Sequence, residues 1–231
     1  MYAFQNLHDW VAKLFSRPHI EKLFEQTTTC SRLPYNPNNK VKDIHDSKVW
    51  KQFLGPNGKQ HTACSFNLTF GLYTDAINPY RNQQASKHTS IRFLILICLT
   101  LPNESRFLPE ISCEPSLKQI NWILRPLIQQ LKTLWEPVFH LSKTHQHAHG
   151  QQLCGALLTF LGDLPAFAPA DYTCPSNLAC NSRDATSASA REDIFNEHGV
   201  RYLALLEPKY WDSVSFHVVD LMHNLLLGLL K

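Results

Sequence analysis

Phe66, Leu68, Phe70 and Leu72 alternate with Asn67, Thr69, Gly71 and Tyr73. This period of two is what gives an extended strand one apolar face. Two further runs, "IRFLILICLTL" from Ile91 and "LCGALLTFLG" from Leu153, are apolar nearly throughout, the pattern of strands covered on both faces. Between them Leu117, Ile120, Leu124, Leu127, Leu131 and Leu134 recur at steps of three and four, which is the stripe of a core-facing helix. Strands separated by a long helix point to an α/β sheet, with the Ile91 run at its centre. Ser116 to Gln119 after Pro115 reads as a capping box for that helix, and Pro126 inside it predicts a kink or two helices end to end.

Before the sheet, Leu7, Trp10, Val11, Leu14 and Phe15 predict one short helix and Ile20, Leu23 and Phe24 a second, with "SRP" between them. Residues 27–46, rich in polar residues, asparagine and proline, read as a loop or tether. The expected division is a helical N-terminal segment and linker over 1–45 and a main α/β domain over 46–231. "CPSNLACNSRDATSASARED" reads as a polar loop, "EDIFNEHGVRYLALL" as partly helical, and "VSFHVVD" as a short strand running into "LMHNLLLGLL". An apolar helix that stops after one lysine leads us to expect an interrupted domain.

Hydrophobic residues at 44% and charged residues at 18% place the chain among folded globular proteins. Its formal charge, 22 − 19 = +3, tolerates a polyanionic partner without requiring one. No secretory signal is seen at "MYAFQNLHDW", and the apolar stretches fall short of the roughly 18–20 residues that cross a bilayer, so no membrane partner is expected. Seven cysteines at irregular spacing fit reduced thiols, some of them buried, better than a disulfide framework.

Two of the strand-like runs end on an acid: Asp75 after the first and Asp163 after the third. Carboxylates delivered by neighbouring strand ends are hard oxygen ligands, suited to divalent metal ions that clamp a phosphodiester. Their separation, 163 − 75 = 88 residues, leaves room for two further strands and the helix. That is the order strand, strand, strand, helix, strand of an RNase H-like mixed sheet. The plainer reading makes each aspartate a turn former or helix cap. Lys87, His88 and Arg92, close after the first acid, are candidates to meet a phosphate backbone, with solvated loop charge as the alternative. His145, His147 and His149 in "HQHAHG" read as solvated loop histidines with adventitious metal affinity.

The succession "HDSKVWKQFLGPNG", "NLTFGLYTDAINPY", "KHTSIRFLILICLTLP", "EPSLKQINWILRPL", "GDLPA", "HGVRYLALLEPKYWD" and "FHVVDLMHNLLLGLLK" resembles transposases of the CACTA (En/Spm-type) family in the form found in mushroom-forming fungi. The resemblance runs from about Asp9 to the last residue. It implies an RNase H-like core whose DDE acids bind Mg2+ or Mn2+ and cut DNA at transposon ends, with a nuclear location and oligomers in the intact family. Asp75 in "TDAINP" matches the family's first aspartate and Asp163 in "GDLPA" its second. Asp220 and His223 match an acid-x-x-His motif, for which an N-cap and first helical turn is the alternative. The third acid would lie past Lys231, so a truncated, inactive transposase-derived chain is expected. The rival is a non-catalytic DNA-binding or protein-interaction module. Cys174 and Cys180 replace the family's closely spaced cysteine pair at a different spacing, and a zinc site is not expected on them.

Overall fold

The computed structural model describes residues 6–77, 91–106, 120–136, 139–162, 176–198, 202–212 and 215–219. Helix α1 (Leu7–Ser16) starts at Asn6, whose side chain accepts from the N–H groups of His8 and Asp9, and Arg17 ends it just before Pro18. Helix α2 (Ile20–Ser31) enters through His19 in the left-handed region, φ 71°. The pair of N-terminal helices is as the apolar spacing predicts. The helix boundary is not: residues 27–31, assigned to a loop, are the last turn of α2. The hydroxyls of Thr28 and Ser31 donate to the carbonyls of Phe24 and Thr27, so these polar residues are satisfied within the helix.

The exposed segment that follows returns through a 3-10 turn (Ile44–Asp46) to a short helix α3 (Lys48–Gln52). Several side chains tie this region to the end of α2. The Trp50 indole N–H donates to the Ser31 hydroxyl at 2.7 Å, Lys51 donates to the Cys30 carbonyl at 2.6 Å, and Gln60 donates to the Ser31 carbonyl at 3.0 Å. Lys51 and Gln60 thereby satisfy carbonyls that a helix C-terminus leaves without intrahelical partners.

The sheet comprises β1 (Asn67–Ile77), β2 (Ile91–Cys98), β3 (Phe139–Leu141), β4 (Gln151–Gly162) and β5 (His217–Val219). Strand β1 is antiparallel to β2 and parallel to β4; β4 runs parallel to β5 at its end and antiparallel to β3 at its start. Among the described residues β1 and β4 form the centre, and β2, expected there, ends the row. Its two-sided apolar character has a different cause. Leu94 and Cys98 face one buried cluster, while Ile97 packs with the other.

Helix α4 (Ile120–Trp135) is the crossover between the parallel strands β1 and β4, with the short β3 intervening. It continues through Pro126, which is exposed, so it is one helix and not two. Leu124, Ile128, Leu131 and Leu134 are buried against Leu68, Phe70, Leu72, Leu157 and Phe160, each side chain contributing about 1.5–3 kcal/mol by leaving water. Val11, Leu14, Phe15 and Phe24 from α1 and α2 join that same cluster. The opposite face of the sheet packs Ala156 and Leu158 with Trp50, Phe53 and Leu99. Two helices, α5 (Ser176–Asp184) and α6 (Ala188–His198), occupy much of the stretch read as a polar loop. Their alanine content supports helix, and the small residues concealed a periodicity too weak to read.

Candidate functional site

The sequence directs attention to the end of the sheet where the parallel strands β1 and β4 finish. Asp75 lies in β1, opposite Phe93 of β2, and Arg92 stands in register one step away, opposite Ala76. The structure therefore brings the backbones of Asp75 and Arg92 to one sheet end. Asp163, Asp220, His223, Lys87, His88 and Cys174 lie outside the described residues. The described chain order is strand, strand, helix, short strand, strand.

The register between β1 and β4 contains one irregularity. Phe70 pairs with Leu157, whereas Gly71 pairs with Thr159, so Leu158 is an extra residue in β4. The offset changes from 157 − 70 = 87 to 159 − 71 = 88 and stays there through Tyr73 and Leu161. A bulge of this kind reverses the alternation of every residue beyond it. The burial follows the reversal: Leu153, Leu157 and Phe160 share the α4-side core, while Ala156 and Leu158 share the other.

Tyr210 supports the bulge. Its hydroxyl accepts a hydrogen bond from the Leu157 N–H at 3.0 Å, and its ring lies 4.1 Å from that of Trp135. Burial pushes the Tyr210 hydroxyl pKa well up, against the opposing pull of that bond, so it stays neutral. The glycine at the bulge is also constrained, since a Cβ on Gly71 would stand 2.7 Å from the Thr159 hydroxyl. Sequence reasoning assigned Tyr210 no role. A tyrosine beside a tryptophan gives no local sign that it caps a backbone group some fifty residues earlier.

Segment 202–212 is held against α4 by side chains that could otherwise be mistaken for site residues. The Asn121 amide donates to the Tyr202 carbonyl and accepts from the Ala204 N–H. Glu207 accepts from the Tyr202 hydroxyl at 2.8 Å and from Lys132 at 3.2 Å. Asp212 accepts from the Ser215 hydroxyl and N–H at 2.7 and 3.3 Å. Both acids are thus engaged in tying the chain down.

Cys98 and Cys154 are buried and Cys30 and Cys64 exposed, and all are free, as is Cys180 on α5. Burial pushes the Cys98 and Cys154 thiols up to about 12, so these two act as small apolar side chains. Among the described residues no group of three or more His, Cys, Asp or Glu is placed to hold a metal ion. Among them, too, no helix is long and apolar enough to cross a membrane. Comparison with protein-family models, with curated proteins and with solved structures gives no match.

Proposed function

We propose that this chain carries the RNase H-like core of a CACTA-type DNA transposase, with Asp75 and Asp163 as paired metal-binding carboxylates at the shared end of β1 and β4. The observation that carries the proposal is the register. Beyond the bulge β1 and β4 keep an offset of 88, through Tyr73 and Leu161, and the two acids are separated by the same 163 − 75 = 88. Carried two residues further, that register would set the acids level on adjacent parallel strands. Parallel neighbours at one level project from the same face of a sheet. The antiparallel β2–β1 pair, the α4 crossover and the parallel β4–β5 pair support the same reading.

The donor chemistry fits a hard divalent cation, because both groups are carboxylates. Bound there, Mg2+ or Mn2+ would act as a Lewis acid on a DNA phosphodiester. The chain's own part would be to hold two anionic oxygens at one strand edge, with Lys87, His88 and Arg92 proposed to meet the DNA backbone. Strand cleavage and transfer, acting on transposon ends and target DNA in the nucleus, are proposed for the intact family. This chain is proposed to bind the cation and DNA. Asp220 and His223 are kept as the family's acid-x-x-His motif.

The test is a cross-link. Cα atoms of level neighbours on adjacent strands are about 4.8 Å apart, within the separation a disulfide spans. In a chain whose exposed Cys30 and Cys64 are replaced by serine, Asp75→Cys with Asp163→Cys should oxidise to a disulfide identified by peptide mapping. The control is Tyr73→Cys with Leu161→Cys, at the last recorded register pair. A cross-link in the control and none at 75–163 would sink the proposal. Mn2+ binding, read by electron paramagnetic resonance, should disappear with either Asp75→Asn or Asp163→Asn.

A further inference from the structure

We propose that the turn between α1 and α2, together with the loop between β3 and β4, forms a docking surface for the phosphate backbone of double-stranded DNA. Its cations are Lys13, Arg17, Lys22 and Lys143. The choice of DNA rests on the reading above, but the surface needs neither carboxylate nor divalent ion. It lies at the start of β4, whereas Asp163 follows that strand's end. Strand β4 has 12 residues, so the two sites are separated by roughly 40 Å at about 3.3 Å per residue.

The fold collects these cations from two stretches far apart in the chain. The His145 N–H donates to the Phe15 carbonyl at 2.9 Å, and the Gln146 N–H donates to Glu21 Oε1 at 3.4 Å. His147 Nε2 faces the buried Glu21 Oε2 at 4.0 Å. Within the loop, the His147 carbonyl accepts from the Thr144 and Gly150 N–H groups at 3.0 and 3.1 Å. Gly150 has φ 81°, and a Cβ there would collide with the Leu141 carbonyl, so the turn requires glycine. Lys143 is thus carried to the α1–α2 turn by a loop with a defined shape.

Residues 13–22 and 142–149 together carry four cations and one acid, the buried Glu21. This end therefore holds 4 − 1 = +3, equal to the formal charge of the whole chain, 22 − 19 = +3, and the remaining residues sum to zero. All four cations are exposed, and among the described residues none forms an ion pair. Asp9 and Glu25, about one turn away along either helix, form none either. Helix electrostatics do not account for the collection. Lys13 suits the last turn of α1, but Lys22 sits in the first turn of α2, the end where a helix dipole disfavours a cation.

Three features select a phosphate backbone as the partner. Helix α2 opens at His19 with no side chain capping its first N–H groups, an end that favours an anion. Ser16 and Ser142, both exposed, place hydroxyls beside the cations, and phosphates take both kinds of donor. The exposed large apolar side chains among the described residues are Leu33, Tyr35, Val41 and Leu54, and none belongs to this end. It therefore has neither the apolar anchors of a membrane-binding surface nor the aromatic ones of a protein interface.

The full chain is titrated into a fluorescently labelled DNA duplex in EDTA, and anisotropy is read over a range of KCl concentrations. Each neutralised phosphate adds about −0.9 to the slope of log affinity against log salt, so the four cations should contribute about −3.6. That slope makes affinity fall at least about a hundredfold between about 50 and 200 mM KCl. Changing all four cations to glutamine should flatten the slope by that amount, and each single change by about 0.9. Lys48→Gln with Lys59→Gln, exposed and near the opposite end of α2, should alter neither slope nor affinity. Exposed substitutions of this kind disturb folding little, and circular dichroism with a melting curve checks each variant. No binding by the parent, an unchanged slope in the quadruple variant, or an equal loss in the Lys48 and Lys59 control would overturn the surface. Tighter binding to phosphatidylserine vesicles or to polyglutamate than to the duplex would overturn it too. Asp75→Asn with Asp163→Asn should leave the slope in EDTA unaltered, so failure here is separable from failure of the two-carboxylate reading.

Discussion

Replacing His61 by glutamine should flatten the acid sensitivity of the fold. His61 is buried, its Nε2 lies 3.1 Å from the Leu68 carbonyl, and its Nδ1 faces the Asn67 amide at 3.4 Å. A neutral ring with the proton on Nε2 satisfies both contacts, donating to the carbonyl and accepting from the amide. Burial lowers its pKa to about 4, with the Leu68 bond pulling weakly the other way. In the unfolded chain the ring titrates near 6.5. Between these values the unfolded state binds the extra proton, so stability is complete above about pH 6.5 and is lost as pH falls toward 4. The linkage amounts to about 2 kcal/mol between pH 7 and 5 and about 3 kcal/mol by pH 4. His45, lowered chiefly by burial, adds in the same direction. Burial would raise Asp43, but the Arg106 bond, the His45 N–H bond and the neighbouring positive charge together outweigh it and leave the carboxyl below its usual value, so its stabilisation is lost only below this window. Urea unfolding followed by tryptophan fluorescence at pH 7 and pH 5 measures the difference. His61→Gln keeps a donor for the Leu68 carbonyl, should be less stable at pH 7 by about 1–2 kcal/mol, and should lose about 2 kcal/mol less than the parent on acidification. Equal losses in the two proteins would refute a neutral buried His61.

Three further outcomes follow from the packing. Gly155→Ala should cost about 1–3 kcal/mol in urea unfolding, because a Cβ there would stand 3.0 Å from Leu134 Cβ and 3.1 Å from its Cδ1, where α4 presses on the sheet. Ser31→Ala should cost about 1–3 kcal/mol by orphaning the buried Trp50 N–H, and a cycle with Trp50→Phe should show that the two losses do not add. Tyr210→Phe should cost about 1–3 kcal/mol by leaving the Leu157 N–H without its acceptor, and amide hydrogen exchange at Leu157 should quicken relative to Leu153.

The legible parts of the fold were those in which one residue type repeats at one period. Strand β1 alternates, and α4 carries leucines at steps of three and four, so both could be read directly. The lost parts had their determinants elsewhere in the chain. The end of α2 is polar in sequence, yet Thr27, Thr28 and Ser31 are buried, the hydroxyls of Thr28 and Ser31 donating to helix carbonyls and that of Ser31 accepting from Trp50. The apolar content of β2 says that it is covered, and coverage by two clusters at the end of the described row looks the same as a central position. Glu21 resembles any charged residue in the first turn of a helix. Only the fold sets it under a loop 125 residues away.

The bulge at Leu158 shows why the candidate metal edge could not be read from either strand alone. In "LCGALLTFLG" nearly every position is apolar, so no alternation indicates which residues face α4. Without the extra residue, the offset of 87 found before Gly71 would set Asp75 level with Gly162, and Asp163 would project from the opposite face. On the proposed reading, the offset of 88 seen through Tyr73 and Leu161 would continue two residues further and set the acids on one face. The proposed carboxylate pair would therefore rest on one inserted residue and, through the Leu157 N–H, on the Tyr210 hydroxyl that stabilises the bulge. A change confined to that hydroxyl, far along the chain from both acids, should loosen divalent-cation binding at the strand edge as well as the strand itself. Tyr210→Phe that is less stable but binds Mn2+ as the parent does would separate the bulge from the site.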